Sequence, residues 1–352
     1  MLPARVTLYE VGPRDGLQNE SANLSLEARV RLVEALVDAE LTVYPARVTL
    51  VEVGPRDGLQ NEATRLPVDA KVRLIAALAA AGLTRIEVGS FVRPDWIPQL
   101  ADTDLVAQRA PKLPGVRYSA LVPNRTGLDR AIASGLQEVA VFMSATESHN
   151  LKNTNKSVAE SLQQFRGIVP AALKAGISVR AYLSTVWGCP YEGAVDAQRA
   201  LEIARQLRDM GCDELSLGDT IGVGNPLQTR RILELFLEEF PPAQLALHLH
   251  DTHGTALANC LVGMEMGIAT YDTSIGGTGG CPYAPGAAGN LATEDLVSMC
   301  ADMGIETGID LGKLLDAGAL AQELIGHKLT GRRLQAALGR RAPGEARPAA
   351  ST

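Results

Sequence analysis

The sequence predicts an α/β fold: a (β/α)8 TIM barrel with extra C-terminal helices and a duplicated N-terminal strand–helix unit. Three observations carry that expectation. From residue 47 onward, eight short runs rich in β-branched and apolar residues recur at regular intervals. Amphipathic helical stretches separate them. Ionisable residues gather at the ends of several runs, where barrels of this kind place their chemistry.

The runs are, in order, 47–52, 84–88, 116–121, 138–143, 177–183, 213–217, 245–250 and 270–275. They show little apolar/polar alternation and are joined by helices, which indicates a parallel sheet covered by helices. Eight such beats fit a closed barrel better than an open doubly wound sheet. No GxGxxG follows the first run, which lowers the expectation of a dinucleotide site. Helical patterns span residues 68–81, 157–175, 195–210, 226–239 and 256–266. Ser157 and Glu160 form an S-x-x-E capping box. Gly176, Gly211 and Gly267 follow their helices as C-terminal caps. After the eighth run comes a loop rich in Gly and Ala, 276–290, and two more helices are expected at 291–303 and 310–325. The catalytic barrel is placed at 45–325, and 326–352 is expected to hold a last helix and a disordered tail.

Ahead of the barrel lies a repeat. Residues 3–20 return as residues 45–62 with one difference, Tyr9 against Val51. The unit occurs twice and then stops, so it is a local duplication or a gene-model artefact rather than a solenoid. The second copy suits the barrel better. It ends its helix on Gly82, which accepts a left-handed turn, where the first copy has Glu40. The first copy also carries Glu34 and Asp38 near its helix end, against the dipole. Residues 1–44 are therefore expected to be an appendage or a partner-contacting arm.

Composition narrows the function. At 352 residues, 46% hydrophobic and 21% charged, the chain is neither mainly disordered nor a disulfide-stapled mini-protein. A net charge of −7 argues against a nucleic-acid partner. No run of about 18 apolar residues occurs, so no membrane span is expected. The five cysteines are odd in number and lack CxxC spacing, and the N-terminus lacks an apolar signal core. A reduced compartment, and so a cytoplasmic location, is the expectation.

The strongest chemical signal is His248-Leu249-His250. Residues i and i+2 of a strand share a face, so both imidazoles can meet one ion. A hydrogen-bonded core pair is the alternative. Barrel closure brings the first and seventh runs near the eighth, so Asp57 can approach the histidines and Asn290 can complete the set. Two nitrogens, a carboxylate and an amide oxygen suit octahedral Mg2+ or Mn2+ better than structural zinc. Arg56 beside Asp57 can stabilise an anion developing on a substrate, or simply pair with Glu87 or Asp219. Those two acids are themselves either substrate contacts or orienting groups. Cys281, among loop glycines, can reach the site as a thiol on a mobile lid. Cys189, Cys212, Cys260 and Cys300 are expected to be inert, and His149 and His327 to be packing or surface residues. The glycine loop lacks a Lys-Ser/Thr ending and is not a P-loop.

Taken together, the segments at 51–62, 86–99, 188–193, 215–226, 247–259 and 276–297 resemble the hydroxymethylglutaryl-CoA lyases. These belong to a metal-dependent lyase/synthase TIM-barrel superfamily. The resemblance covers roughly residues 46–325, and its GGCPYA loop separates lyases from the condensing synthases. It implies cleavage of 3-hydroxy-3-methylglutaryl-CoA to acetyl-CoA and acetoacetate, a step of leucine degradation, by a homodimer taking a CoA thioester. By the same resemblance Asp57, His248, His250 and Asn290 correspond to metal ligands. Arg56 corresponds to the enolate-stabilising group, Cys281 to the lid acid/base, and Glu87 and Asp219 to supporting acids. Two features depart from the family: RDGLQNE occurs twice, so Arg14 and Asp15 rival Arg56 and Asp57, and Ala63 stands where some members carry lysine. The remaining alternatives are a lyase for a related 3-hydroxy-3-alkylglutaryl-CoA and a non-catalytic barrel inactivated by the duplication.

Overall fold

The computed structural model describes residues 44–279 and 289–341. Cys281, the first repeat copy with Arg14 and Asp15, and the expected disordered tail lie outside the described residues. Eight parallel strands close into a barrel: β1 Thr49–Glu52, β2 Arg85–Ser90, β3 Arg117–Leu121, β4 Glu138–Ser144, β5 Ser178–Ser184, β6 Glu214–Asp219, β7 Leu245–Leu249 and β8 Thr270–Thr273. Each strand pairs with its successor, and β1 closes on β8 with Thr49 opposite Thr270. Every boundary falls within two residues of the expected one. The second copy of the repeat supplies β1.

Helices cover the barrel: α1 Val68–Ala80, α2 Thr103–Arg109, α3 Arg125–Ala133, α4 Glu147–Thr154, α5 Val158–Lys174, α6 Ala197–Asp209, α7 Pro226–Leu237, α8 Ala256–Glu265, α9 Thr293–Asp302, α10 Leu311–Ile325 and α11 Arg332–Arg341. The helical patterns missed α2, α3 and α4, which have 7, 9 and 8 residues. Two turns are too few for a 3.6-residue period to stand out. The capping box of α5 forms: Ser157 Oγ accepts from the Glu160 N–H at 3.1 Å, and Glu160 Oε2 accepts from the Ser157 N–H at 2.7 Å. Gly82 turns left-handed at φ +105°, and a Cβ there would strike the Gly308 carbonyl. A glutamate, as at position 40, would not fit that corner.

One expectation needs correction. The strands do alternate, with the polar face turned inward. In β5, Val179, Ala181 and Leu183 join the apolar shell with Ile168 and Val169 of α5. Arg180 and Tyr182 point into the lumen, where branched aliphatics are the rule. The lower lumen is ionic: Arg85 reaches Glu214 at 2.9 Å and Glu138 at 3.2 Å, and Arg180 reaches Glu214 at 2.5 Å. Buried pairs of this kind roughly balance attraction against desolvation, so the outer shell carries most of the stability. Among the described residues, no helix is long and apolar enough to cross a membrane.

Candidate active site

At the C-terminal end of the barrel lies a cavity of about 460 Å3, lined by Arg56, Asp57, Ser90, Tyr182, His248 and His250 among others. The chain enters this site from β1 through a wide π-type turn, Gly54–Gly58. The Val53 carbonyl accepts from the N–H groups of Arg56, Asp57 and Gly58 at 3.0, 2.7 and 3.2 Å. Such turns re-aim side chains and recur at functional sites. Two features hold this one. Glu52, fully buried, accepts from Gly54 N at 2.8 Å, Ile275 N at 2.9 Å and Thr293 Oγ1 at 2.6 Å. At Gly58, a Cβ would press on the hydroxyls of Thr278 and Ser274.

Asp57, His248 and His250 each offer a ligand atom, and these atoms lie within 4.8 Å of one another. His248 Nε2 stands 3.8 Å from Asp57 Oδ2. Asn290 donates from Nδ2 to Asp57 Oδ2 at 2.7 Å and to the Thr278 carbonyl at 3.1 Å. Burial opposes charge on Asp57, but the Arg56 guanidinium, with His248, His250 and the Asn290 amide, outweighs it and holds the carboxyl at about 2. Burial first, then His248 and Arg56, pushes the His250 imidazole down to about 4. It is thus neutral at pH 7, and its buried Nδ1 has no hydrogen-bond partner. A buried neutral nitrogen, a carboxylate held ionised and a neighbouring amide, with no cysteine in the cluster, fit a hard divalent cation.

The remaining groups close a ring around the lumen. Arg56 Nη1 meets Asp57 Oδ1 at 2.5 Å, and its Nε donates to Glu87 Oε1 at 2.8 Å. Tyr182 donates to Glu87 Oε2 at 2.8 Å and accepts from Arg180 Nη1 at 2.8 Å. Arg180 grips Asp272 through two bonds, 2.6 and 3.0 Å, and Asp272 accepts from His248 Nδ1 at 3.2 Å. The ring links β1, β2, β5, β7 and β8, and its single gap, between His248 and Asp57, is the ligand cluster. Burial works against charge on Arg56, yet Asp57 and Glu87 raise its pKa, so it is a permanent cation.

The sequence-expected residues fare unequally. Arg56, Asp57, Glu87, His248, His250 and Asn290 come together. Asp219 does not join them. Its carboxylate accepts from the N–H groups of Val223 and Gly224 at 3.1 and 2.8 Å, and burial pushes its pKa up. It pins the loop after β6, whose Thr220 lines the cavity. Buried His149 also lines the cavity, with Nδ1 2.6 Å from Ser144 Oγ. His327 is exposed and pairs with Glu62 at 2.7 Å. Cys189, Cys212, Cys260 and Cys300 are buried, and burial raises the thiols of Cys212 and Cys300 to about 12 and 11. Sequence reasoning missed Arg180, Tyr182 and Asp272. Their alternation with apolar residues along β5 and β8 was the available signal. Ser90, one of the polar residues expected at the end of the second strand, lines the cavity with a buried Oγ that has no hydrogen-bond partner.

Comparison with known proteins agrees with this geometry. The HMGL-like family model matches residues 47–321. The chain is 49% identical over 335 residues to the mitochondrial hydroxymethylglutaryl-CoA lyase of Rattus norvegicus, covering 95% of this chain and 90% of the relative. Among solved structures, the Bacillus subtilis HMG-CoA lyase superposes with TM-score 0.83 at 50% identity, covering 84% of this chain and 99% of that one. An Acinetobacter baumannii HMG-CoA lyase, in complex with coenzyme A and 3-methylmalate, gives TM-score 0.81 at 37% identity, covering 88% and 100%. With its eight-stranded barrel, its Asp-His-His cluster and these matches over most of its length, the chain belongs to the HMGL-like family, alongside the hydroxymethylglutaryl-CoA lyases.

Proposed function

We propose that this chain is a carbon–carbon lyase that cleaves 3-hydroxy-3-methylglutaryl-CoA to acetyl-CoA and acetoacetate. The observation that carries the reading is the convergence of Arg56, Asp57, His248 and His250 on one cavity, with Asn290 hydrogen-bonded to Asp57. The relatives of that name, about half identical, support it. The coenzyme A in the Acinetobacter relative supports a CoA thioester as the substrate class. Mg2+ or Mn2+ would be held by Asp57, His248 and His250, with Asn290 beside them. When bound, such an ion eases loss of a proton from a coordinated hydroxyl.

The side chains then divide the work. A base linked to His248 takes the proton of the C3 hydroxyl, because an imidazole that holds the ion through Nε2 and donates from Nδ1 has no lone pair left for it. The C3–O bond becomes the ketone of acetoacetate as the C2–C3 bond breaks. The electron pair of that bond moves onto the thioester oxygen of the departing acetyl-CoA. Arg56, oriented by Glu87, stabilises the resulting enolate. The Cys281 thiol, on the glycine-rich loop, supplies the proton that completes the methyl group of acetyl-CoA. Asp219 acts at a distance by fixing the loop that carries Thr220.

The test is release of acetoacetate from 3-hydroxy-3-methylglutaryl-CoA with and without Mg2+ or Mn2+, with Cys281→Ala as control. Turnover is expected only with the cation and is expected to fall sharply in Cys281→Ala. Full turnover by chelator-treated protein would overturn the mechanism.

A further inference from the structure

We propose that Asp272 is a positioning residue: through Oδ2 it fixes the proton of His248 on Nδ1 and leaves the Nε2 lone pair facing Asp57. Nothing in the sequence marks Asp272 as part of the site. It sits on β8 opposite His248 of β7 in the strand register and is fully enclosed. A carboxylate oxygen can only accept, so the 3.2 Å contact to His248 Nδ1 makes that nitrogen the donor. In the neutral imidazole the tautomer follows, with Nε2 unprotonated. That atom lies 3.8 Å from Asp57 Oδ2, on the side where the ligand cluster opens.

Asp272 is itself held from two further directions. Arg180 donates to both its oxygens, at 2.6 and 3.0 Å, and Ser216 Oγ donates to Oδ2 at 2.7 Å. Three donor atoms from β5 and β6 leave the carboxylate one orientation, and the imidazole inherits it. The Tyr182 ring stands edge-on to the His248 ring, with centroids 5.8 Å apart, and limits its rotation about χ2. Carboxylates that orient a ligating histidine in this way are worth about 10–100-fold in metal affinity.

The inference rests on the metal reading above but not on the identity of the substrate. Its first test uses the unsubstituted, chelator-treated protein carrying 15N-labelled histidine. The His248 signals are assigned by their loss in His248→Gln. At a pH high enough for the ring to be neutral, the expected pattern is a protonated Nδ1 and a bare Nε2; the reverse pattern overturns the proposal. The second test is Asp272→Asn. The amide removes the charge that holds the Nδ1 proton, and either its oxygen or its N–H can face His248, so the single tautomer and ring orientation are no longer enforced. Titration with Mn2+, read by the electron paramagnetic resonance of the free ion, should show affinity about 10–100-fold weaker in the variant. A folded Asp272→Asn protein that binds Mn2+ within twofold of the parent overturns the proposal. The first test needs no change at Asp272, so it decides the matter even where that variant fails to fold. Failure of the unsubstituted protein to bind Mn2+ would overturn both this inference and the metal reading. Binding with the expected tautomer but without acetoacetate release would overturn only the function.

Discussion

Asp15 and Asp57 sit in identical local sequence, and Asp57 follows the strand that pairs with β2 and β8. Asp57→Ala is therefore expected to abolish acetoacetate release, while Asp15→Ala leaves it at the parent level. Steady-state assays of the two variants with Mn2+ check this, and the reverse result would assign the working role to the first copy. Residues of this site were legible when their chemistry was local. His248 and His250 announce themselves because a strand places i and i+2 on one face. Asp272 was not legible, because its partners Arg180 and His248 are 92 and 24 residues away in sequence and only barrel closure brings them together. Asp219 was read as an acid of the site, yet it spends both oxygens on the backbone of its own loop. An aspartate followed by Thr-Ile-Gly-Val-Gly can do either, and composition does not distinguish the two.

At the scale of elements, the turn after β8 and helix α9 carry an unusual load. Glu52 and Glu294 are both fully enclosed beneath the turn Ile275–Gly277. Glu294 Oε2 accepts from the Gly276 N–H at 3.0 Å, while its Oε1 is buried with no hydrogen-bond partner. Burial raises Glu52 to about 7 and Glu294 to about 8. An unfolded glutamate titrates near about 4.3, so between these values the folded chain holds protons that the unfolded chain has released. Stability from these groups is complete below about pH 4 and is lost as pH rises through 7 and 8. Between about pH 4.3 and the folded value, each pH unit costs roughly 1.4 kcal/mol per group, equivalent to about 2 °C in Tm for a chain of this length, and above the folded value the loss levels off. Melting curves from pH 6 to 9 should show that decline, and Glu294→Gln, neutral throughout, should flatten it. An unchanged slope in the variant would place the cause elsewhere. Asp57 works the other way. Its folded value of about 2 adds stability above about pH 4 that is lost as pH falls toward 2. Neither buried glutamate could be read from the sequence, where Glu52 looks like one more polar strand end.

For the whole molecule, the alternation of runs and helical patterns sufficed to give the barrel, because each unit repeats the same local physics. The ionic lumen did not follow from that pattern. Hydrophobicity averaged along a strand hides which face looks inward. The barrel begins at the second copy of the repeat, so a chain starting at Tyr44 is expected to fold and turn over substrate as the parent does. Loss of activity in that truncation would give residues 1–43 a structural duty. Binding of a cation by the folded state alone should raise Tm. At 100 times Kd the gain is about 2.7 kcal/mol, readable as a shift of several degrees between chelator-treated and Mn2+-loaded protein. Asp57→Ala should remove the shift.

The ring of side chains around the lumen also has a consequence for synthesis. Asp57 and Asn290 are separated by 233 positions, yet they share a hydrogen bond. On the ribosome, the early half of this centre waits while seven more strands are made. No nascent fragment ending before β8 can assemble it, so the centre arises only in a chain whose translation has nearly finished.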